Sequence, residues 1–189
     1  MADPLSLSAI TGVVLSEGIK FLYGQAGQII KHWNERKAKA AEARPKQSEP
    51  LPVQAPPILD GTFAAPVIHY ERVERLQSDL VTLMAGLGNY ANGFEEANPN
   101  NHELLEQVDA VRQILEAIYG QAITFQGERR AHSGRPVIAG EADVDDVAWY
   151  AAAVRARSVT GGTIRGHLRG TVVREGGEAI GVDLDHVGP

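Results

Sequence analysis

The chain contains no cysteine, and this absence removes several kinds of chemistry at once. Disulfide bridges, thiolate zinc sites, iron–sulfur clusters and cysteine nucleophiles all need that residue. Lysine is confined to the first 46 of the 189 residues, so the remainder can supply neither a Schiff-base lysine nor a phosphate-binding lysine. Aromatic residues make up only 6% of the chain, so a hydrophobic core must consist mainly of Leu, Val, Ile and Ala.

A surplus of basic residues is also missing. The 18 Lys and Arg are outnumbered by 24 Asp and Glu, for a net charge of −6. Proteins that bind nucleic acid need a basic surface to neutralise phosphates, so we expect no nucleic-acid partner. The negative charge is concentrated in residues 68–125, which carry three Arg and nine carboxylates.

Catalytic motifs are absent as well, since the chain has no Walker loop, no G-x-S-x-G turn and no H-E-x-x-H helix. Its six histidines are scattered, and we expect no cofactor, no metal site and no catalytic residue. Asp143, Asp145 and Asp146 resemble a hydrolytic carboxylate cluster, but they also suit a helix N-terminus, where negative charge is favourable. The sequence therefore predicts a non-enzymatic protein, with a hydrolase using Asp143–Asp146 as a remote alternative.

The N-terminal segment, 1–42, contains one long helix, predicted over residues 8–40. Its apolar residues are spaced alternately four and three apart, which is typical of a helix that packs on another helix. From Leu5 to Ile30 the only charges are Glu17 and Lys20, so the same helix could instead be directed at a membrane after activation. The candidate interface or membrane residues are Leu15, Ile19, Leu22, Ile29 and Trp33.

Two further helices are predicted by apolar residues with the same spacing, over residues 68–94 and 104–125. A turn at residues 95–101 separates them, with Asn100 or Asn101 as the cap of the second, so they should form an antiparallel hairpin. Asp143 is the expected cap of a fourth helix over residues 144–157. The predicted fold class is mainly α, a three- or four-helix bundle.

Residues 43–67 contain six prolines within 22 residues, which predicts an extended, unpaired linker that tethers the N-terminal helix. The expected domains are an amphipathic or hydrophobic helix at 1–42, this Pro-rich linker at 43–67, a helical bundle at 68–157 and a Gly-rich β motif at 158–189.

The Gly-rich C-terminal segment alternates apolar and other residues with the period of a β-strand. Two glycine-punctuated units of about 15 residues could stack as rungs of a β-solenoid, within one chain or between chains. A plain β-hairpin under the bundle is the alternative. The candidate self-assembly residues are Ile164, Gly166, Leu168, Gly170, Val172, Ile180 and Val182.

An N-terminal helix, a small helical bundle and a Gly-rich β unit at Val159–Leu184 together resemble the layout of bacterial Bell-domain effectors with amyloid signalling motifs. These are counterparts of fungal HeLo-type cell-death effectors and belong to actinobacterial conflict systems. The resemblance, at the level of architecture, implies that a templated C-terminal motif assembles the chains and that the N-terminal helix then attacks a membrane. The chain also resembles small helical companion proteins of such gene clusters, which implies an adaptor.

We therefore expect a signalling or effector protein that acts by self-assembly, with its N-terminal helix directed at a membrane or a partner helix. The alternative is a soluble adaptor or scaffold subunit that binds a protein partner through the helical bundle. The expected partners are further copies of the chain, a protein and a membrane. The expected location is the cytoplasm, and a peripheral position at the membrane is the alternative.

Overall fold

The computed structural model describes residues 4–39, 48–50, 55–147, 150–160, 163–173 and 178–188. The chain divides into two compact units, Met1–Gly134 and Arg135–Pro189. The first unit is largely helical, which agrees with the mainly α expectation, whereas the second consists of β-strands.

The described residues of the first unit form four helices and one small antiparallel sheet. The helices are α1 (Pro4–Leu7), α2 (Gly12–Lys39), α3 (Tyr70–Ala91) and α4 (His102–Tyr119), and the strands are β1 (Ser48–Pro50) and β2 (Val67–His69). The three long helices bury their apolar residues in one shared core.

Local sequence signals set the bounds of α4. The Asn101 side chain accepts a hydrogen bond from the Leu104 backbone N–H, as expected of an N-cap. At the other end, Gly120 has a positive φ of 68°, a conformation that glycine adopts without a steric penalty and that commonly ends a helix. The apolar spacing alone predicts a helix that continues to residue 125, and the Gly120 conformation explains why it ends at Tyr119.

Helix α2 packs against both α3 and α4. It approaches the core closely at Gly18, where a Cβ atom would lie 2.9 Å from the Phe125 ring. Gly24, on the same helix, has open space around it. The close approach of the Phe125 ring therefore explains Gly18, and no described contact explains Gly24.

The prediction of an extended, unpaired linker over residues 43–67 is wrong for its described part. Strand β1 pairs with β2, and the backbone N–H of Asp60 donates to the Thr124 carbonyl at 2.8 Å. Leu59 and Phe63 are buried in the core. The apolar residues between the prolines gain more from burial than an exposed tether would allow, so the chain docks here. Residues 43–47 and 51–54 of the predicted linker lie outside the described residues.

The predicted fourth helix, residues 144–157, is also wrong. This region forms strands β3 (Val137–Val147) and β4 (Tyr150–Thr160), followed by β5 (Thr163–Val173) and β6 (Glu178–Gly188). Strand β3 pairs in parallel with β5, and β4 pairs in parallel with β6. Each of these four strands therefore pairs with a strand that is not its neighbour along the chain. The local spacing of Val147, Ala151 and Val154 gives no sign of this pairing.

The second unit is consequently built from two rungs. The first rung, β3 followed by β4, lies on the second rung, β5 followed by β6. Val137 pairs with Thr163, and Tyr150 pairs with Glu178. Each rung therefore consists of two long strands, and it is much longer than the glycine-punctuated unit that the sequence predicts. Since β5 and β6 belong to different sheets, they do not form the simple hairpin.

Two of the four glycines of α2, Gly18 and Gly24, make a matched pair of predictions. Gly24→Ala should stabilise the protein by about 0.5–1 kcal/mol, because alanine favours a helix and the site has room. Gly18→Ala should destabilise it by about 1–3 kcal/mol, because the added methyl group meets the Phe125 ring. Urea denaturation measures both. Equal effects of the two substitutions would contradict the close approach at Gly18.

Candidate functional site

The predicted interface or membrane residues of the N-terminal helix all lie in the core of the first unit. Leu15, Ile19, Leu22 and Ile29 are fully buried, and Trp33 is 6% exposed. Trp33 stacks on Tyr70, with ring centroids 6.2 Å apart, and the Arg36 guanidinium lies 4.1 Å from the centroid of the same Tyr70 ring. In the described part of the chain, no helix is long and apolar enough to cross a membrane.

A polar contact also ties α2 to α4. The Tyr119 hydroxyl donates a hydrogen bond to the Gln25 side-chain oxygen at 2.9 Å, and both residues are buried. Burial raises the pKa of Tyr119 well above its usual value, so the phenol stays neutral and keeps its proton for this bond.

Arg112 is the centre of a buried polar cluster that the sequence analysis missed. Its side chain is fully buried, and its guanidinium donates to both carboxylate oxygens of Glu128, at 2.8 and 2.6 Å. It also binds Asp109, one turn earlier on α4. The Ser6 hydroxyl, on α1, donates to Glu128 at 3.0 Å, so the cluster fastens the first helix to the fourth.

The two buried glutamates of this region hold the backbone that follows α4. Glu116 accepts a hydrogen bond from the Ile123 N–H at 2.8 Å, and Glu128 accepts one from the Phe125 N–H at 3.1 Å. Arg130 pairs with Glu116 at 2.9 Å. Beyond the end of α4, these carboxylates therefore accept backbone hydrogen bonds that carbonyl groups would accept within a helix.

Nearby carboxylates keep the buried Arg112 guanidinium charged. Burial alone lowers the pKa of Arg112, but the carboxylates of Glu128, Asp109 and Glu116 outweigh it, and the net pKa is raised. The guanidinium therefore stays charged, and all its strong partners are carboxylates of the same unit. This arrangement is suited to locking a conformation, and it offers no reactive group to a substrate.

The candidate self-assembly residues fall on the two strands of the second rung. Ile164, Gly166, Leu168, Gly170 and Val172 lie on β5, and Ile180 and Val182 lie on β6. Each of the seven pairs in parallel with a first-rung residue; their partners are Ile138, Gly140, Ala142, Val144, Asp146, Ala152 and Val154, respectively.

Glycine has a specific role where the two sheets meet. A Cβ atom on Gly166 would overlap the carbonyl oxygen of Gly181, and one on Gly181 would lie 2.6 Å from the Gly166 oxygen. Any side chain at position 166 would force β5 and β6 apart. This close approach accounts for part of the glycine content of the segment.

The predicted carboxylate cluster at 143–146 lies on β3 and not at a helix N-terminus. Asp143 pairs in register with Arg169, and Asp146 pairs with Val172. The described residues contain no group of His, Asp and Glu that could hold a metal ion.

Comparison of this chain with protein-family models, with curated proteins and with solved structures finds no match.

The buried cluster predicts a large stability effect for Glu128→Gln. The neutral amide leaves Arg112 as a poorly compensated buried charge, so unfolding should become easier by about 3 kcal/mol. The control is Glu17→Gln, which breaks the exposed pair between Glu17 and Lys20 and should cost less than about 1 kcal/mol. Urea denaturation compares the two variants. Similar small losses would show that the Arg112 cluster does not lock the unit.

The raised pKa of Tyr119 predicts a loss of stability in alkali. Because the pKa is higher in the folded than in the unfolded chain, the stabilisation is complete below about pH 10 and is lost as pH rises further. Tyr119→Phe should lose about 1 kcal/mol at pH 7 with the Gln25 hydrogen bond. Its stability should then fall less steeply than that of the wild type above about pH 10.

Urea denaturation at a series of alkaline pH values tests this difference in slope. Tyr23→Phe is the matched control, since Tyr23 also belongs to the helical unit but is only partly buried. A Tyr119→Phe variant with the same alkaline slope as the wild type would contradict the role given to the buried phenol.

Proposed function

We propose that this protein is a non-enzymatic signalling or effector protein of the cytoplasm that acts by self-assembly through its second unit. The observation that carries the proposal is the parallel stacking of one rung on another within a single chain. Helix α2 is its output element, directed at a membrane or at a partner helix once copies have assembled.

Parallel stacking favours continued assembly for a geometric reason. Each of the strands β3 to β6 pairs with one other strand, and none has a second strand partner among the described residues. An unpaired edge presents a row of N–H and C=O groups that can template another strand. Since the strands are 11 residues long, each rung offers a long template to a further copy.

Two features of α2 bear on its role as the output element. Its predicted interface residues are buried at rest, so a membrane or partner helix would have to replace the core that they leave. The Trp33 indole N–H is buried without a hydrogen-bond partner among the described residues, which reduces the cost of releasing it. At a membrane surface, the indole would regain a polar partner while its ring stays in an apolar environment.

An adaptor that binds a protein through the helical unit is the second candidate. Phe94, in the turn between α3 and α4, is 81% exposed, and Val81 on α3 is 51% exposed. Exposed apolar side chains of this size are suited to a protein contact. In that case, assembly of copies would not be needed for function.

Assembly is tested by light scattering and electron microscopy at tens of micromolar protein. The wild type should form assemblies, and Gly166→Ala should not, because the added methyl group pushes β5 away from β6. Gly24→Ala is the control, since it lies in open space on α2 and should assemble like the wild type. A wild-type chain that stays monomeric would overturn the proposal and favour the adaptor.

The role of α2 needs a separate test. Trp149→Phe leaves Trp33 as the single tryptophan, and vesicles containing brominated lipids quench tryptophan that enters the bilayer. Assembled protein should show quenching together with leakage of a trapped dye, and Gly166→Ala protein should show neither. Assembly without quenching or leakage would exclude the membrane and leave a partner helix as the target of α2.

A further inference from the structure

We propose that the junction of α2 and α3 is a binding site for a phosphoryl group, carried by a small soluble molecule or by a lipid headgroup. The junction consists of Trp33, Arg36 and Lys37 near the end of α2, and of His69 and Tyr70 at the start of α3. The proposal goes beyond self-assembly and does not depend on it, because it concerns the helical unit alone.

A buried donor without an acceptor is the first observation that points to a ligand. The Trp33 indole N–H has no hydrogen-bond partner among the described residues, and Trp33 is only 6% exposed. Such a group costs free energy and is rare in a folded protein. Because Trp33 stacks on Tyr70, its indole lies against the first residue of α3. An acceptor from outside the chain would satisfy the indole there.

The start of α3 supplies further donors at the same place. Its N-cap residue, His69, makes no side-chain hydrogen bond to the first turn of the helix. The first backbone N–H groups of any helix lack partners within it, and the helix dipole adds positive charge at that end. These two properties together favour an anion at a helix N-terminus.

Two cationic side chains of α2 are held beside the same rings. The Arg36 guanidinium lies 4.1 Å from the centroid of the Tyr70 ring, and the Lys37 ammonium lies 5.1 Å from the centroid of the Trp33 ring. A guanidinium can donate two parallel hydrogen bonds to a phosphoryl group, and an ammonium adds a point charge. A phosphoryl group has three acceptor oxygens, so it can use more of these donors than a carboxylate can.

The local electrostatic field is positive, although Glu71 lies in the first turn of α3. Burial lowers the pKa of Arg72, and repulsion from Arg75 lowers it by more than attraction to Glu71 raises it. Burial also lowers the pKa of His69, where the repulsion from Arg72 exceeds the attraction to Glu71. An anion bound at this end of α3 would relieve the repulsion.

Nuclear magnetic resonance of the Trp33 indole tests the site directly in the full-length chain. Trp149→Phe leaves Trp33 as the single tryptophan, and Gly166→Ala is added to keep the chain unassembled. Titration with inorganic phosphate should move the indole proton downfield and reach saturation, because the N–H gains an acceptor. Sodium chloride of equal ionic strength is the control. A shift no larger than that caused by sodium chloride would overturn the proposal.

Arg36→Gln and Arg129→Gln are a matched pair of variants, since each removes one positive charge from the helical unit. Arg36 lies at the junction, whereas Arg129 is exposed in the segment that follows α4. Calorimetric titration should show an affinity for inorganic phosphate about tenfold lower in Arg36→Gln, because a charged hydrogen-bond donor is lost. Arg129→Gln should bind like the wild type. Equal affinities of the two variants would place the anion elsewhere.

Bound phosphate should also stabilise the helical unit, because the site has one wall on α2 and the other on α3. In urea denaturation, phosphate should raise the midpoint more for the wild type and Arg129→Gln than for Arg36→Gln. Phosphate also stabilises proteins generally through its exclusion from their surface, and that effect is shared by all three chains. An equal rise in all three would show a general effect only and would contradict the site.

Vesicles distinguish the two sources of the phosphoryl group. The unassembled chain is sedimented with vesicles of phosphatidic acid, whose headgroup is a phosphate monoester, or of phosphatidylcholine. Sedimentation with phosphatidic acid alone, weakened by Arg36→Gln and not by Arg129→Gln, would identify a lipid headgroup. Binding of inorganic phosphate without sedimentation would identify a soluble phosphorylated molecule. Neither result depends on whether copies assemble, so failure of this site and failure of the proposed function remain distinguishable.

Discussion

A strand in a β-sheet satisfies its backbone polar groups only on the side where another strand is paired with it. In this protein each of the four long strands has one parallel partner, and that partner comes from the other rung of the same chain. The pairing demands equal strand lengths, a fixed register and glycine where Gly166 meets Gly181. Among the described residues no strand pairs with the second edge of these four strands, and the proposed assembly rests on that edge.

The helical unit places a different constraint on function. Its N-terminal helices are held by apolar packing along α2 and by the charged cluster in which Ser6, Glu128 and Arg112 meet. A buried charge is expensive to separate from its partner, so release of the N-terminal region requires an input of free energy. In the proposed function, assembly of many copies supplies this free energy.

Local signals were readable from the sequence, and long-range pairings were not. The apolar spacing of α3 and α4 and the Asn101 cap depend on residues within a few turns, so the sequence predicted them. Arg112 binds Glu128, which lies beyond the end of α4. It also contacts Ser6 on α1, which is far away along the chain. The helix predicted over residues 144–157 covers only the end of β3 and most of β4. The parallel partners of these strands, β5 and β6, lie further along the chain, so local spacing carries no sign of the pairing. The prolines around Leu59 and Phe63 conceal a docked segment.

Mass per unit length of the assemblies, measured by dark-field electron microscopy, tests the central claim most directly. Two rungs per chain, at about 4.8 Å each, place one chain of 20.3 kDa in about every 9.6 Å of a single stack. The account predicts that value for a single filament, or a whole-number multiple of it for bundled filaments. A single filament with one chain in about every 4.8 Å would mean that each copy contributes only one rung. That result would contradict assembly from two-rung units.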